Sequence, residues 1–337
     1  MQGNKITVGL DAFGSDNAPY PEVEGAIIAL KEEICEKILL YGDQAILSKE
    51  LEKYFFDKSR LEIIHCSERV IMSDSPSKIM RQKKDSSLVR LIQDCHDKKV
   101  QVSVSAGNTG AVMSASLFIY GRLKNFLRPA IATLFPTIQG VELLLDVGAN
   151  AECSVENLVQ FAEIGNLYTK YFFKIDQPRI GLINIGEESS KGSELYKSTY
   201  QSLSNHPDIN FVGNIEGKDL LKGNVDVIIS DGFTGNIILK TVEGAATSMF
   251  KILKEQFNQD WISKLGALLA YPAFAFLKKK VDHREYGGAL LVGLNGLSVV
   301  AHGRSDATAI KNAIKTSVRM VNSKFLEHAR EYYESKK

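Results

Sequence analysis

Five short stretches of the chain combine glycine with acidic, amide or hydroxyl side chains. They cover residues 11–16 (DAFGSD), 105–110 (SAGNTG), 146–150 (DVGAN), 184–192 and 231–236 (DGFTGN). The fourth carries Glu187, Glu188 and Lys191. Glycine permits close approach to the main chain, and the first amides of a helix point at whatever lies beyond its N-terminus. Stretches 105–110 and 231–236 each follow a β-rich run and open a helical one, which is the form of an anion site. Asn108 and Thr109 add neutral donors to the first. The same residues also describe an ordinary turn, with Gly at positive φ and Asn or Asp capping a helix. Five such stretches at the carboxyl ends of one sheet favour a real site, because open α/β sheets bind ligands there.

Other chemistries lack their signatures. The chain has no GxxxxGK[ST] loop, no GxGxxG after its first strand, no GxSxG elbow and no HExxH. Cys35, Cys66, Cys95 and Cys153 form no CxxC pair, and His65 and His96 beside two of them lack zinc spacing, so no metal is expected. They read as reduced, mostly buried thiols. The net charge is +1, which gives no global field for nucleic acid. A local cluster, Arg81-Gln82-Lys83-Lys84, reads either as a solvated helix surface before a cap at Asp85 or Ser86, or as a cationic rim for phosphate or an acidic partner.

The elements that must position these residues alternate. Strand-like runs fall at 6–10, 38–41, 61–65, 100–104, 130–135, 141–145, 180–184, 209–212 and 225–229. Helical separators of roughly 10–20 residues lie between most of them, which implies crossovers on a covered parallel sheet. Residues 22–34 place Val23, Ile27, Leu30 and Ile34 on one helical face. The fold class is α/β, a three-layer α/β/α arrangement around a mostly parallel sheet. A chain of 337 residues allows one large domain or two modest ones. Its start has no basic segment followed by an apolar run, so it reads as a first strand and not as a signal peptide.

Several long motifs in a fixed order then resemble the PlsX phosphate acyltransferases along nearly the whole chain. They are residues 11–19 (DAFGSDNAP), 81–88 (RQKKDSSL), 105–111 (SAGNTGA), 145–150 (LDVGAN), 184–188 (NIGEE) with Lys191-Gly192, 230–236 (SDGFTGN) and 287–291 (GGALL). The family usually reads Asp-Ala-Met-Gly-Gly-Asp near its start. Phe13 and Ser15 depart from that, and Ser15 would be strained if its position required positive φ. The resemblance implies that inorganic phosphate attacks the acyl thioester of acylated acyl carrier protein, giving acyl phosphate and free carrier early in phospholipid synthesis. It implies a fold similar to the isocitrate and isopropylmalate dehydrogenases and the phosphotransacetylases. It also implies a homodimer without cofactor or metal, cytoplasmic and peripherally held at the inner face of the cell membrane, feeding a glycerol-phosphate acyltransferase. One catalytic domain over 1–337, with an apolar helical hairpin protruding at about 258–282, is the expected organisation. A phosphotransacetylase-like enzyme using short acyl-CoA is the alternative; a β-decarboxylating dehydrogenase lacks grouped acidic ligands, and a membrane-surface scaffold would bind liposomes without turnover.

Phosphate is already a nucleophile at neutral pH, so the enzyme must hold it near a carbonyl carbon and stabilise the tetrahedral oxyanion. Lys191 and Asn236 are the expected catalytic residues. Asp11, Gly14, Ser105, Gly107, Asn108, Thr109, Gly110, Asp231, Thr234 and Gly235 are the expected phosphate and substrate contacts. His302 either meets the leaving thiol or phosphate, or is structural beside Ser305, which offers a helix cap.

Residues 261–277 hold Trp261, Ile262, Leu265, Leu268, Leu269, Phe274, Phe276 and Leu277 with Lys264 as the only charge, and Lys278, Lys279 and Lys280 follow. The run is too short, and too broken by Pro272, to span a bilayer. It reads either as core or dimer contact, or as an interfacial hairpin. In the second reading Leu268 and Leu269 enter the bilayer, while Lys264 and Lys278–Lys280 meet anionic headgroups or the carrier protein.

Overall fold

The computed structural model describes residues 6–336, apart from the side chains of Lys278, Lys279, Val281 and His283. The contacts expected of Lys278 and Lys279 lie outside the described residues. Eleven strands form one sheet: β1 (Thr7–Asp11), β2 (Lys37–Gly42), β3 (Leu61–His65), β4 (Val102–Ser105), β5 (Ala130–Pro136), β6 (Val141–Leu145), β7 (Arg179–Asn184), β8 (Asn210–Glu216), β9 (Val227–Ile229), β10 (Ala289–Val292) and β11 (Ser298–Val300). The helices are α1 (Tyr20–Lys31), α2 (Gln44–Leu51), α3 (Ile79–Gln82), α4 (Ser87–His96), α5 (Thr109–Tyr120), α6 (Val155–Tyr168), α7 (Glu194–Ser204), α8 (Gly232–Phe257), α9 (Trp261–Val281), α10 (Ala307–Asn322) and α11 (Phe325–Ser335).

The strand order is β3-β2-β1-β4-β11-β10-β5-β6-β9-β7-β8. Pairing is parallel within β3-β2-β1-β4-β11 and within β6-β9-β7-β8. The three junctions β11–β10, β10–β5 and β5–β6 are antiparallel. The two parallel halves therefore run in opposite directions. Their register decides where they end. Ser105 pairs with Val300 and Val300 with Ala289; one residue along β10, Leu290 pairs with Ala132 and Ala132 with Leu145. The carboxyl ends of β4 and β6 thus lie one residue apart in level and point at each other. The glycine-bearing stretches do not share one rim; they converge from opposite sides on the middle of the sheet.

Successive residues alternate between faces, as strand geometry requires. Ala130, Ala132, Leu143 and Leu145 join one core with residues of α1, α6, α10 and α11. Ile131, Phe135 and Leu144 face the other, where Leu88, Val89 and Ile92 of α4, Ala111 and Val112 of α5, and Leu239 and Val242 of α8 pack. The expected strands are all present, but β10 and β11 were not among them. They are only four and three residues long, and a four-residue apolar run has no readable period. They are nevertheless central to the sheet.

Helices α8 and α9 make a hairpin that extends beyond the sheet. Among the described residues of α8 only Gly232 and Gly235 are buried. Phe257 stacks edge-on against Phe274 at 5.1 Å, joining the arms. Pro272 does not break the segment; α9 continues through it for 21 residues. A proline here removes one helical N–H, and an exposed helix satisfies the freed carbonyl with water. Trp261, Leu268, Leu269 and Phe276 are each at least 70% exposed, and Lys264 is exposed among them. Lys280 Nζ donates to Ile138 O at 2.5 Å and Tyr286 Oη donates to Lys280 O, so the returning arm is tied to the β5–β6 turn. No described helix is long and apolar enough to cross a membrane.

Candidate active site

One side of the cleft is built on β1, β4 and α5. Ser105 Oγ donates to Asp11 Oδ2 at 2.7 Å and accepts from Gly107 N at 3.1 Å. A Cβ on Gly14 would stand 2.8 Å from Gly107 N, so glycine there lets the two loops touch. Burial pushes the Asp11 carboxyl up, while Ser87 and Ser105 hold it down. Asp11, Gly14, Ser105 and Gly107 are thereby engaged with one another beneath α5. Asn108 is also committed. Its Oδ1 caps α5 by accepting from Ala111 N at 3.0 Å, and its Nδ2 donates to Met72 O at 2.8 Å. What remains open is main chain: the N–H groups of Thr109 and Gly110 have no hydrogen-bond partner among the described residues, and both residues are exposed.

Ser15 does not take a positive φ, so its replacement of the family's usual glycine strains nothing. Its N–H donates to Glu22 Oε1 at 2.9 Å. Its hydroxyl and Glu22 Oε2 are buried without a partner. Burial pushes the Glu22 carboxyl up to about 7, against the pull of Ser15.

The other side is built on β6, β9 and α8. Asp146 is fully buried and accepts from the N–H groups of Ile131 (3.0 Å), Gly148 (3.2 Å), Ala149 (3.1 Å) and Asn150 (2.7 Å), and from Asn150 Nδ2 (3.0 Å). Burial pushes its carboxyl up and these donors oppose that. Asp231 caps α8: Oδ1 accepts from Thr234 N at 2.8 Å, and Oδ2 accepts from Thr234 Oγ1 and Tyr196 Oη. A Cβ on Gly235 would fall 1.9 Å from Asp146 O, which excludes any side chain. Asp231 and Thr234 therefore fix the start of α8 against α7, and Gly235 lets it press on the loop after β6. Asn236, the next residue, is exposed and lies against Gly148.

Between the two sides runs a cleft of about 550 Å³. Thr109, His302 and Ser305 line it from the first side, Gly148 and Asn236 from the second, and Ile131, Thr133 and Phe135 form its floor. It continues as an apolar groove under Leu239, Val242, Ala246 and Met249 of α8, with Pro136 and Leu221, towards the root of the hairpin. His302 Nδ1 accepts from Arg304 N at 3.2 Å, which leaves Nε2 to carry the proton of the neutral ring. The cap of α10 is Asp306, not Ser305; Asp306 accepts from Ala309 N at 2.9 Å, and Ser305 Oγ donates back to His302 O at 2.6 Å.

Two residues outside the sequence reading belong to the cleft wall, Arg284 and Tyr286. Arg284 donates to both carboxylate oxygens of Asp282 and to Asp306 Oδ2 at 2.5 Å, tying the return from the hairpin to the start of α10. The signal was their position just before Gly287 and Gly288, both at positive φ. Lys191 is exposed on the segment after β7, where its carbonyl accepts from Asn184 Nδ2 at 3.2 Å, and it does not line the cleft. Asn236, Thr109 and His302 are brought together; Lys191 is not. All four cysteines are free, and burial pushes Cys35 and Cys66 up to about 12.

A family model described as a fatty acid synthesis protein matches residues 6–328. This chain belongs to that family. Within the family, a phosphate acyltransferase of Alkaliphilus oremlandii is 44% identical over 322 residues, covering 96% of both chains. One of Halothermothrix orenii is 46% identical, covering 93% of this chain and 94% of its own. A Streptococcus pyogenes phosphotransacetylase superposes with a TM-score of 0.63 at 15% identity, covering 95% of each chain. A branched-chain phosphotransacylase of Enterococcus faecalis gives 0.59 at 14%, covering 94% of this chain and 99% of its own. A putative 4-hydroxythreonine-4-phosphate dehydrogenase of Salmonella typhimurium gives 0.54 at 13%, with coverage of 94% and 99%. These structural likenesses speak for the fold, a mostly parallel α/β sheet that this family member shares.

Proposed function

We propose that this protein moves a fatty acyl group from the thioester of acyl carrier protein onto inorganic phosphate, releasing acyl phosphate and free carrier. The observation that carries the reading is the open N-terminus of α5 at the head of an apolar groove. Free amides at a helix start suit a phosphate dianion, and a groove of this size and lining suits an acyl chain. The Thr109 and Gly110 amides hold the phosphate without neutralising its attacking oxygen. That oxygen attacks the carbonyl carbon, and Asn236, near the start of α8, donates to the oxyanion from the facing wall. The tetrahedral intermediate collapses with cleavage of the C–S bond, the thiolate leaves with the carrier, and the phosphate retains its bond to the acyl group. A thiolate is a good leaving group, so His302 is not required as a general acid. No step uses a cofactor.

Lys191 and Asn236 part company here. Asn236→Ala lowers turnover on the order of 10²–10³, as loss of an aimed donor does. Lys191→Ala acts only through long-range charge. Equal loss in both variants would reinstate Lys191 as a contact.

The exposed apolar face of α9 supports a further reading, that the protein sits as a homodimer at the inner face of the cell membrane and passes acyl phosphate to a glycerol-phosphate acyltransferase there. Leu268→Glu/Leu269→Glu abolishes liposome flotation on this reading; equal flotation ends it. The reaction itself is tested by incubating the protein with palmitoyl carrier protein, with and without phosphate, and following free carrier thiol. Phosphate-dependent release with acyl phosphate formed is expected. Turnover of acetyl-CoA and phosphate instead would move the protein to short acyl-CoA chemistry.

A further inference from the structure

The strip formed by residues 69–84 takes no part in the chemistry above, yet it lies across the start of α5. Met72 O and Asp74 O accept from Asn108 Nδ2 at 2.8 and 3.3 Å, and Met72 reaches Gly303 beside His302. Lys83 turns inward, donating to Asp74 Oδ2 at 2.5 Å and Arg69 O at 2.9 Å, and so fixes the strip's shape. The other cations stay outside. Arg69, Lys78, Arg81, Lys84 and the neighbouring Arg304 are exposed and make no ion pair among the described residues. Ile71 and Met72 are 43% and 41% exposed in their midst. The whole chain carries only +1, so five unpaired cations on and beside one short strip are a local excess.

We propose that this strip is the docking surface for the acyl-bearing carrier protein, an acidic partner that presents its thioester to the cleft. The proposal rests on the acyl-transfer reading. Exposed cations spread over a strip are too screened to hold one phosphate, but they suit a partner with many carboxylates. A small apolar centre within a polar rim is the usual anatomy of a transient interface. The strip also packs on the start of α5, through Asn108 and Gly110 on either side of Thr109.

The test is binding and kinetics of Arg81→Glu/Lys84→Glu, with Arg304→Glu as an independent variant on another element. Labelled holo carrier protein is titrated by fluorescence anisotropy, and steady-state rates are taken with the acyl carrier. The expected result is a tenfold or greater rise in Kd and in KM for the carrier, with kcat and KM for phosphate within twofold of wild type. Raising salt from 50 to 300 mM should weaken wild-type binding and leave the double variant nearly unchanged. Unchanged Kd in both variants overturns the proposal. A shift in sedimentation with unchanged carrier affinity also overturns it and makes the strip a contact between copies of this chain. Failure of the acyl-transfer reading shows separately, as no thiol release by the wild type, and the anisotropy arm still decides the surface.

Discussion

The loop after β6 and the loop after β4 look alike as sequence and behave oppositely as structure. Both follow a strand, both carry glycine and asparagine, and each has an aspartate at hand. In the first, Asp146 folds back and consumes the amides of Gly148, Ala149 and Asn150. That loop is closed to an outside anion. In the second, Asp11 is occupied by Ser105, and Asn108 satisfies only Ala111, so the amides of Thr109 and Gly110 stay open. A glycine-rich turn is an anion site only when its own carboxylates point elsewhere.

The largest effect that would sharpen this contrast is on the closed loop. Asp146→Asn sets an amide group against N–H donors in a fully buried place, and it should destabilise the protein by about 3–5 kcal/mol in urea unfolding. A loss below about 1 kcal/mol, within the range of one ordinary hydrogen bond, would mean that the loop is not held by that carboxylate.

The open loop should respond in the opposite sense. Thr109→Asp places a negative charge in the first turn of α5, which favours the helix by about 0.3–1 kcal/mol. The same charge repels phosphate, so phosphate-dependent kcat/KM should fall on the order of 100-fold or more. A variant both more stable and fully active would remove phosphate from this loop.

The two sides are alike in one respect, since each holds a buried carboxyl with an unpartnered oxygen, Glu142 of β6 on the second and Glu22 on the first. The pKa of Glu22 is raised from 4.5 to about 7. Below about pH 4.5 both folded and unfolded forms bind the proton, and between the two values only the folded form does. Stability therefore falls as pH rises through this window, by about 1–3 kcal/mol in all, and stays low above it. Glu22→Gln should reduce that slope between pH 5 and 8 and leave the share of Glu142, which burial also pushes up to about 7; an unchanged slope would assign it to other groups.

The smallest effect expected is at His302. His302→Gln should keep the shape of the pH–rate profile and lose far less than the ~100-fold that a general acid contributes.

Much of this was legible in the residues. The runs at 130–135, 141–145 and 180–184 have strand period and appear as β5, β6 and β7. Asn108, Asp231 and Ser86 could each be read as a cap or as part of a site or its cationic rim, and all three are caps. The motif series alone carried the family. Strands β10 and β11 were not legible, since a few apolar residues carry no period, and their antiparallel insertion is what turns one half of the sheet against the other. Pro272 misled for a related reason. A proline inside a helix costs least where the freed carbonyl can reach water, and exposure is a tertiary property.

The sequence by itself determined the chemistry available: glycine and asparagine at strand ends, neutral donors suited to phosphate, an apolar segment with lysines after it. Only the tertiary structure decided which of these groups were free to act. Hydrogen-bond capacity is local to a residue, but its use depends on partners that the chain brings from far away. Ser105 meets Asp11 across 94 positions and Asn108 meets Met72 across 36. Register among five strands, not any single motif, brought Thr109 and Asn236 to opposite walls of one cleft.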